Sequence, residues 1–227
     1  DITFNCYRWF KTVSLPVSAS YSNMKIEMIS ENKARIEYIP DYKPIHERKR
    51  VFIINGVPKA GKDTLIQLSS EYLPFNVVNT STIDIVKDIA TAYDLWDGVN
   101  KTDDARNMLS ELKRVITKYS NCIINHICRQ VQLFLEDNTS GAMFIHCREP
   151  KEINRLRYAI VSKCELLPTT LVICRNEAEK AVYGNESDTN VLQYDYDLTF
   201  HNDNKLEDSV KKFAYMINIS TQITRLL

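Results

Sequence analysis

The sequence predicts a three-layer α/β/α domain with a parallel sheet, preceded by a small β-rich appendage. Three observations carry this. From residue 51 onward, short apolar runs alternate with stretches of helical periodicity, the pattern of strands joined by crossover helices. The first run, Val51-Phe52-Ile53-Ile54, opens into a turn holding two of the chain's five glycines. At 227 residues, 44% apolar and 26% charged, the chain can bury a sizeable core and suits one α/β domain with an addition.

Residues 1–50 lack helical periodicity. Lys25-Ile26-Glu27-Met28-Ile29 and Ala34-Arg35-Ile36-Glu37-Tyr38-Ile39 alternate on either side of the polar Ser30-Glu31-Asn32-Lys33, which reads as a β-hairpin over 25–39. Tyr7, Trp9 and Phe10 suggest another short strand. The stretch from Pro40 to Arg50 is polar and punctuated by Pro40 and Pro44, the composition of a linker. The boundary is therefore set there, with an appendage over 1–50 and the main domain over 51–227. Exposed strand edges in the appendage can pack on the main domain or join a homo-oligomer. The opening Asp1 in place of Met points to a processed or trimmed chain.

The turn after the first strand is Gly56-Val57-Pro58-Lys59-Ala60-Gly61-Lys62-Asp63-Thr64. Strand, G-x-x-x-x-G-K, then helix is the phosphate-cradling arrangement of nucleotide-binding proteins. Gly56 and Gly61 let the backbone fold tightly, so that successive N–H groups of the loop, through Lys59 and Ala60, face phosphate oxygens. The helix that follows, roughly 62–73, adds its positive N-terminal dipole. Lys62 would reach the β- and γ-phosphates as a mobile charge. Asp63 stands where many such loops place a Ser or Thr whose hydroxyl binds magnesium, and the hydroxyl comes one residue later at Thr64. Asp63 can sense magnesium or cap its own helix, and its place in the first turn favours the cap. Both residues are metal candidates.

The remaining elements follow in order. Phe75-Asn76-Val77-Val78-Asn79 is a short second strand, and Ser81 or Thr82 can cap a helix through about residue 92. A long helical region over 102–137 opens at Thr102-Asp103-Asp104, with apolar spacing through Met108, Leu112, Val115 and Ile116, and breaks near Ser120-Asn121. Ala142-Met143-Phe144-Ile145-His146 is a strand with a helix over 150–162 behind it. Thr169 to Cys174 is another strand. Leu198-Thr199-Phe200 closes the sheet before an amphipathic helix over 205–218.

In open parallel sheets, ligands bind beyond the carboxyl ends of the strands, so the residues just past each strand are candidates. Arg148 can clamp a phosphate with its planar fork, or sit in a surface ion pair. Arg175-Asn176-Glu177 repeats the arrangement, and Arg148 and Arg175 join Lys62 as candidate catalytic groups. The polar stretch 178–193 can close over a substrate or remain a solvated loop. Asp84 and Lys87 after the second strand, and Arg106 in the long helical region, are candidate substrate ligands. For Arg106 a solvated face with Lys113 and Arg114 is the competing account. Asn202 and Asp203 can lie beside an adenine or cap the last helix.

Composition narrows the classes further. With 29 basic and 29 acidic residues there is no basic excess of the kind a nucleic-acid polymer requires. No apolar run approaches a bilayer-spanning length, and no cleavable leader pattern opens the chain. Six cysteines without C-x-x-C pairs suit a reduced, cytoplasmic setting and argue against zinc at His126/Cys128 or His146/Cys147.

The G-K-x-T spacing resembles nucleoside monophosphate kinases, and G-K-D-T resembles the phage-type deoxynucleoside monophosphate kinases. Over residues 51–218 the loop, the Ser81–Lys87 helix, Arg106, the strand ending in Arg148-Glu149 and the Asn202-Asp203 loop occur in that family's order. The resemblance implies an ATP- and Mg²⁺-dependent phosphotransferase acting on a (deoxy)nucleoside monophosphate. A kinase of a non-nucleotide metabolite and a nucleotide-binding regulatory protein with little turnover are the alternatives. The family often carries an Asp at the end of the strand preceding the Arg, where it helps hold magnesium; this chain has His146 there.

Overall fold

The structure, a computed structural model, describes residues 18–21, 24–30, 33–38, 49–100, 102–137, 141–176 and 190–223. The expected strand at Tyr7–Phe10, most of the expected linker and most of the 178–193 stretch lie outside them. The N-terminal segment is an antiparallel sheet of three strands, β1 (Ser18–Tyr21), β2 (Met24–Ser30) and β3 (Lys33–Tyr38), in the order β1-β2-β3. The expected hairpin is β2–β3, pairing Ile26 with Ile36, and β1 adds a strand that alternation did not reveal.

The main sheet has five parallel strands: β4 (Lys49–Gly56), β5 (Asn76–Ser81), β6 (Gly141–His146), β7 (Thr169–Cys174) and β8 (Leu198–His201). Their spatial order is β5-β6-β4-β7-β8. Lys49 and Arg50, expected to end the linker, are the first residues of β4; Lys49 pairs in register with Gly141. The strand extends further back than its apolar run, and both charged groups there lie over rings. Lys49 Nζ sits 4.4 Å from the Phe134 centroid and the Arg50 guanidinium 4.1 Å from that of Phe75.

Among the described residues the layers are completed by α1 (Lys62–Ser69), α2 (Asp84–Ala92), α3 (Asp103–Tyr119), α4 (Cys122–Glu136), α5 (Pro150–Cys164) and α6 (Leu206–Ile223). α1 packs with α6, and α4 with α5, so the sheet is covered on both faces. This is why β4, β6 and β7 are nearly continuous apolar runs rather than alternating ones. Phe144 on β6 stacks on Phe52 of β4 at 5.2 Å, and Phe213 of α6 meets Phe200 of β8 at 5.2 Å. A smaller cluster of Val86, Ala90, Leu109 and Ile123 holds α2, α3 and α4 together.

Helix ends follow local chemistry. Thr102 caps α3 by accepting the Ala105 N–H at 3.1 Å. The break between α3 and α4 falls where expected, with the Ser120 hydroxyl accepting from Cys122 N at 3.0 Å. The start of α2 differs from expectation: neither Ser81 nor Thr82 caps it. Ser81 N instead donates to the Asp84 carboxylate at 2.7 Å, while Thr82 N donates to the His146 carbonyl at 3.1 Å. The end of β5 is thus tied to the end of β6. The other edge is fastened by charge. Buried Asp197, just before β8, accepts from Thr170 N at 2.8 Å and pairs with Arg157 of α5 at 3.2 Å.

Candidate phosphate-binding site

The turn after β4 has the geometry its glycines predict. Lys59 and Gly61 both take left-handed backbone, with φ of 65° and 87°. At Gly56 close approach is decisive: a Cβ would meet the Ile173 carbonyl of β7 at 2.8 Å. Ala60 N closes the turn on the Val57 carbonyl at 3.1 Å, and α1 starts at Lys62 with Gly61 as its N-cap. No side chain caps α1. The expectation that Asp63 does so is therefore corrected: it lies in the first turn, 79% exposed, where its charge meets the helix dipole without a capping hydrogen bond.

Two polar residues outside the motif brace the loop. Asn55, the last residue before Gly56, is fully buried. Its Oδ1 accepts from Gly56 N at 2.8 Å, and its Nδ2 donates to the Arg148 carbonyl at 2.8 Å and the Tyr196 hydroxyl at 2.7 Å. Tyr196 in turn donates to the Val191 carbonyl at 2.9 Å. Burial pushes the Tyr196 phenol well above its ordinary range, so it stays a donor. The second brace is Asn202, which follows β8. Its Nδ2 donates to the Ala60 carbonyl at 2.8 Å, and a Cβ on Gly61 would strike that same nitrogen at 2.5 Å. Asp203 accepts from Asn176 N at 2.8 Å. The last loop therefore ties β7 and the phosphate turn together and does not cap α6, as had been an alternative for Asn202 and Asp203. Asn55 and Tyr196 escaped the sequence reading, although a lone Asn ending an apolar strand was a signal.

The strand ends bring together most of the expected site residues. His146 at the end of β6 is largely buried, with Nδ1 3.5 Å from Asp63 Oδ1 and Nε2 3.3 Å from Asn79 Oδ1. Burial holds its pKa below the usual histidine range. Asp63 and Asp84 oppose that shift, and Lys62 and Arg148 reinforce it, so all four charged groups lie around this ring. Lys62 Nζ sits 3.8 Å from Asp63 Oδ2, and Lys87 pairs with Asp84 at 3.1 Å. Arg148 is exposed just beyond β6, and Arg175 is half-buried at the end of β7. Arg106 stands apart in character. It is 66% exposed and paired with Asp103 at 3.2 Å on its own helix, the solvated-face arrangement. Behind Arg148, a pair absent from the sequence reading joins Lys113 of α3 to Glu152 of α5 at 2.6 Å.

For a cation, the donors near the turn are the exposed Asp63 carboxylate and the exposed Thr64 hydroxyl. Among the described residues no group of three or more His, Cys, Asp and Glu converges to hold a metal. Two hard oxygen donors fit magnesium that arrives on a nucleotide, because Mg²⁺ keeps waters and phosphate oxygens as its other ligands. No helix among the described residues is long and apolar enough to cross a membrane.

No family model and no curated protein matches the chain. Among solved structures it is similar to the tunicamycin resistance protein of Deinococcus radiodurans (14% identity, covering 75% of this chain and 96% of that one, TM-score 0.48). It is also similar to the APS kinase of Mycobacterium tuberculosis in complex with AMPPNP and APS (10% identity, 75% and 98% covered, TM-score 0.43). A gluconokinase from Sinorhizobium meliloti aligns at 9% identity, over 76% of this chain and 95% of that one, with TM-score 0.40.

Proposed function

We propose that the chain is an ATP-dependent small-molecule kinase whose acceptor is a (deoxy)nucleoside monophosphate. The observation that carries this reading is the Gly56–Thr64 turn, with Lys59 and Gly61 both left-handed and Lys62 opening α1. Left-handed backbone at such positions turns consecutive N–H groups toward one point, where the α1 dipole also converges. The triphosphate of ATP supplies the anion for that point.

In phosphoryl transfer the protein positions groups and neutralises charge. The loop amides and Lys62 hold the donor phosphates. Asp63 and Thr64 would hold Mg²⁺, which neutralises charge between the donor phosphates when bound. Arg148 and Arg175, beyond the ends of β6 and β7, screen the moving phosphoryl group. Asp84 and Lys87 face the acceptor side. An acceptor phosphate is already anionic, so no general base is required. The free thiols of Cys122, Cys128, Cys147, Cys164 and Cys174 suit a reducing compartment, the cytoplasm.

Two observations favour other readings. The pairing of Arg106 with Asp103 on an exposed face leaves the acceptor side short of a second phosphate clamp, which favours a non-nucleotide acceptor. His146 at the strand end favours nucleotide binding with little turnover. ADP release measured across a panel of nucleoside monophosphates, sugars and sugar acids separates all three. Turnover with a monophosphate supports the proposal, turnover only with another acceptor replaces it, and ATP binding without turnover on any acceptor favours the regulatory reading.

A further inference from the structure

Asp63 and His146 come from elements far apart in sequence, and their geometry is asymmetric. The imidazole has 17% of its side chain exposed and the carboxylate 79%. The ring is fixed on its other side by Asn79 of β5 at 3.3 Å. A carboxylate accepts, so a hydrogen bond from the ring to Asp63 requires the proton on Nδ1; Nε2 then accepts, which calls for a half-turn of the Asn79 amide to present its NH₂ group there. One Asp63 oxygen thus lies 3.5 Å from a ring held at the end of the sheet, while the other lies 3.8 Å from Lys62 Nζ. A carboxylate beside the phosphate turn repels a bare triphosphate and attracts a metal-bound one. An exposed Asp side chain would otherwise lose rotamer freedom on gripping a cation, and a prior anchor removes part of that cost.

We propose that His146 is a positioning residue that holds the Asp63 carboxylate ready for the magnesium of MgATP, so that this chain discriminates metal-bound from metal-free nucleotide through an Asp63–His146–Asn79 chain. The inference rests on the nucleotide-binding reading above. The cation's carboxylate comes from the first turn of α1, and the strand end supplies its support.

The test is binding of a fluorescent ATP analogue to the full chain, with and without Mg²⁺, for the native protein, His146→Ala, His146→Gln, Asp63→Ala and the double variant. The native protein should gain strongly in affinity with magnesium. His146→Ala should cut that magnesium factor by about tenfold while metal-free affinity stays unchanged, the size expected for a residue supporting a metal ligand. His146→Gln, which keeps a donor, should restore part of it. Asp63→Ala should bind metal-free nucleotide more tightly and lose the magnesium factor, and adding His146→Ala to it should change nothing further. A magnesium factor that survives His146→Ala, or additive effects in the double variant, overturns the inference and leaves the nucleotide site standing. Loss of melting temperature with an intact magnesium factor overturns it in the same way. A native protein that binds the analogue in neither condition overturns both readings together.

Discussion

Asn202 reaches from the end of the edge strand β8, past β7, to donate to the Ala60 carbonyl at 2.8 Å. The loop that follows β4 is therefore held from three strands: by its own Asn55, by Ile173 of β7 against Gly56, and by Asn202 against Ala60 and Gly61. In the proposed phosphate cradle the amides must already point inward, and bracing of this kind would hold them there.

Asn202→Ala should remove the donor and leave the buried Ala60 carbonyl without that bond. The expected loss is about 1–3 kcal/mol, the cost of leaving a buried polar group unsatisfied. Denaturant unfolding gives the stability, and nucleotide titration should show a parallel fall in affinity. Native stability and native affinity together would remove Asn202 from the loop's support.

Lys62→Ala should keep the fold and lose phosphoryl transfer by roughly 10²-fold or more, the scale seen when a group aimed at developing charge is removed. Lys62 opens α1 at the rim of the site and contributes nothing to the apolar core. Turnover unchanged in the purified variant would end the kinase reading.

Arg148→Lys should lower kcat by about tenfold or more with a smaller change in ATP affinity, because the charge remains and the bidentate fork is lost. Its backbone carbonyl, which Asn55 holds, is untouched by the substitution. A fall in melting temperature with native kinetics would make Arg148 a structural ion-pair member.

Thiol chemistry offers an independent check on the core. Burial pushes the Cys128 thiol up to about 11, and Cys147, buried and then further raised by Glu152, lies higher still. Both should be thiols at pH 8, with thiolate at Cys128 about a hundredfold scarcer than in a free cysteine. Native protein treated with iodoacetamide should be modified at Cys122 well before either, and mass spectrometry of the modified peptides reads the order. Rapid labelling of Cys147 would show that the face beneath α5 opens.

Deleting residues 1–46 should leave a folded core that binds nucleotide, since β4 starts at Lys49 and every strand of the main sheet follows it. Circular dichroism and nucleotide titration of the shortened chain check this. An insoluble or non-binding product would make the three-stranded sheet part of the main fold.

Strand and helix order around the five-stranded sheet was legible because burial on both faces writes continuous apolar runs, and because glycine at Gly56 and Gly61 is dictated by space and by φ. Of the candidate site, the local geometry was legible, as in the turn and the placement of residues just past each strand. What was hidden depends on residues distant in sequence. Asn55 meets Tyr196, Lys113 meets Glu152, and Asn202 meets Ala60 only after the sheet has formed. The cap of α2 was misplaced for a related reason. Thr82 had the right chemistry for a helix start, but the carbonyl of His146, on a neighbouring strand, engages it first.

The position of β4 also bears on how the chain is made. It is the first strand of the main sheet to leave the ribosome, yet both its partners, β6 from Gly141 and β7 from Thr169, come much later. Until His146 has emerged, this buried strand has two unsatisfied edges, and until Cys174 has emerged it keeps one, a state prone to association with other nascent chains. Yield in cells should therefore depend on chaperone capacity during synthesis more than on the stability of the finished protein.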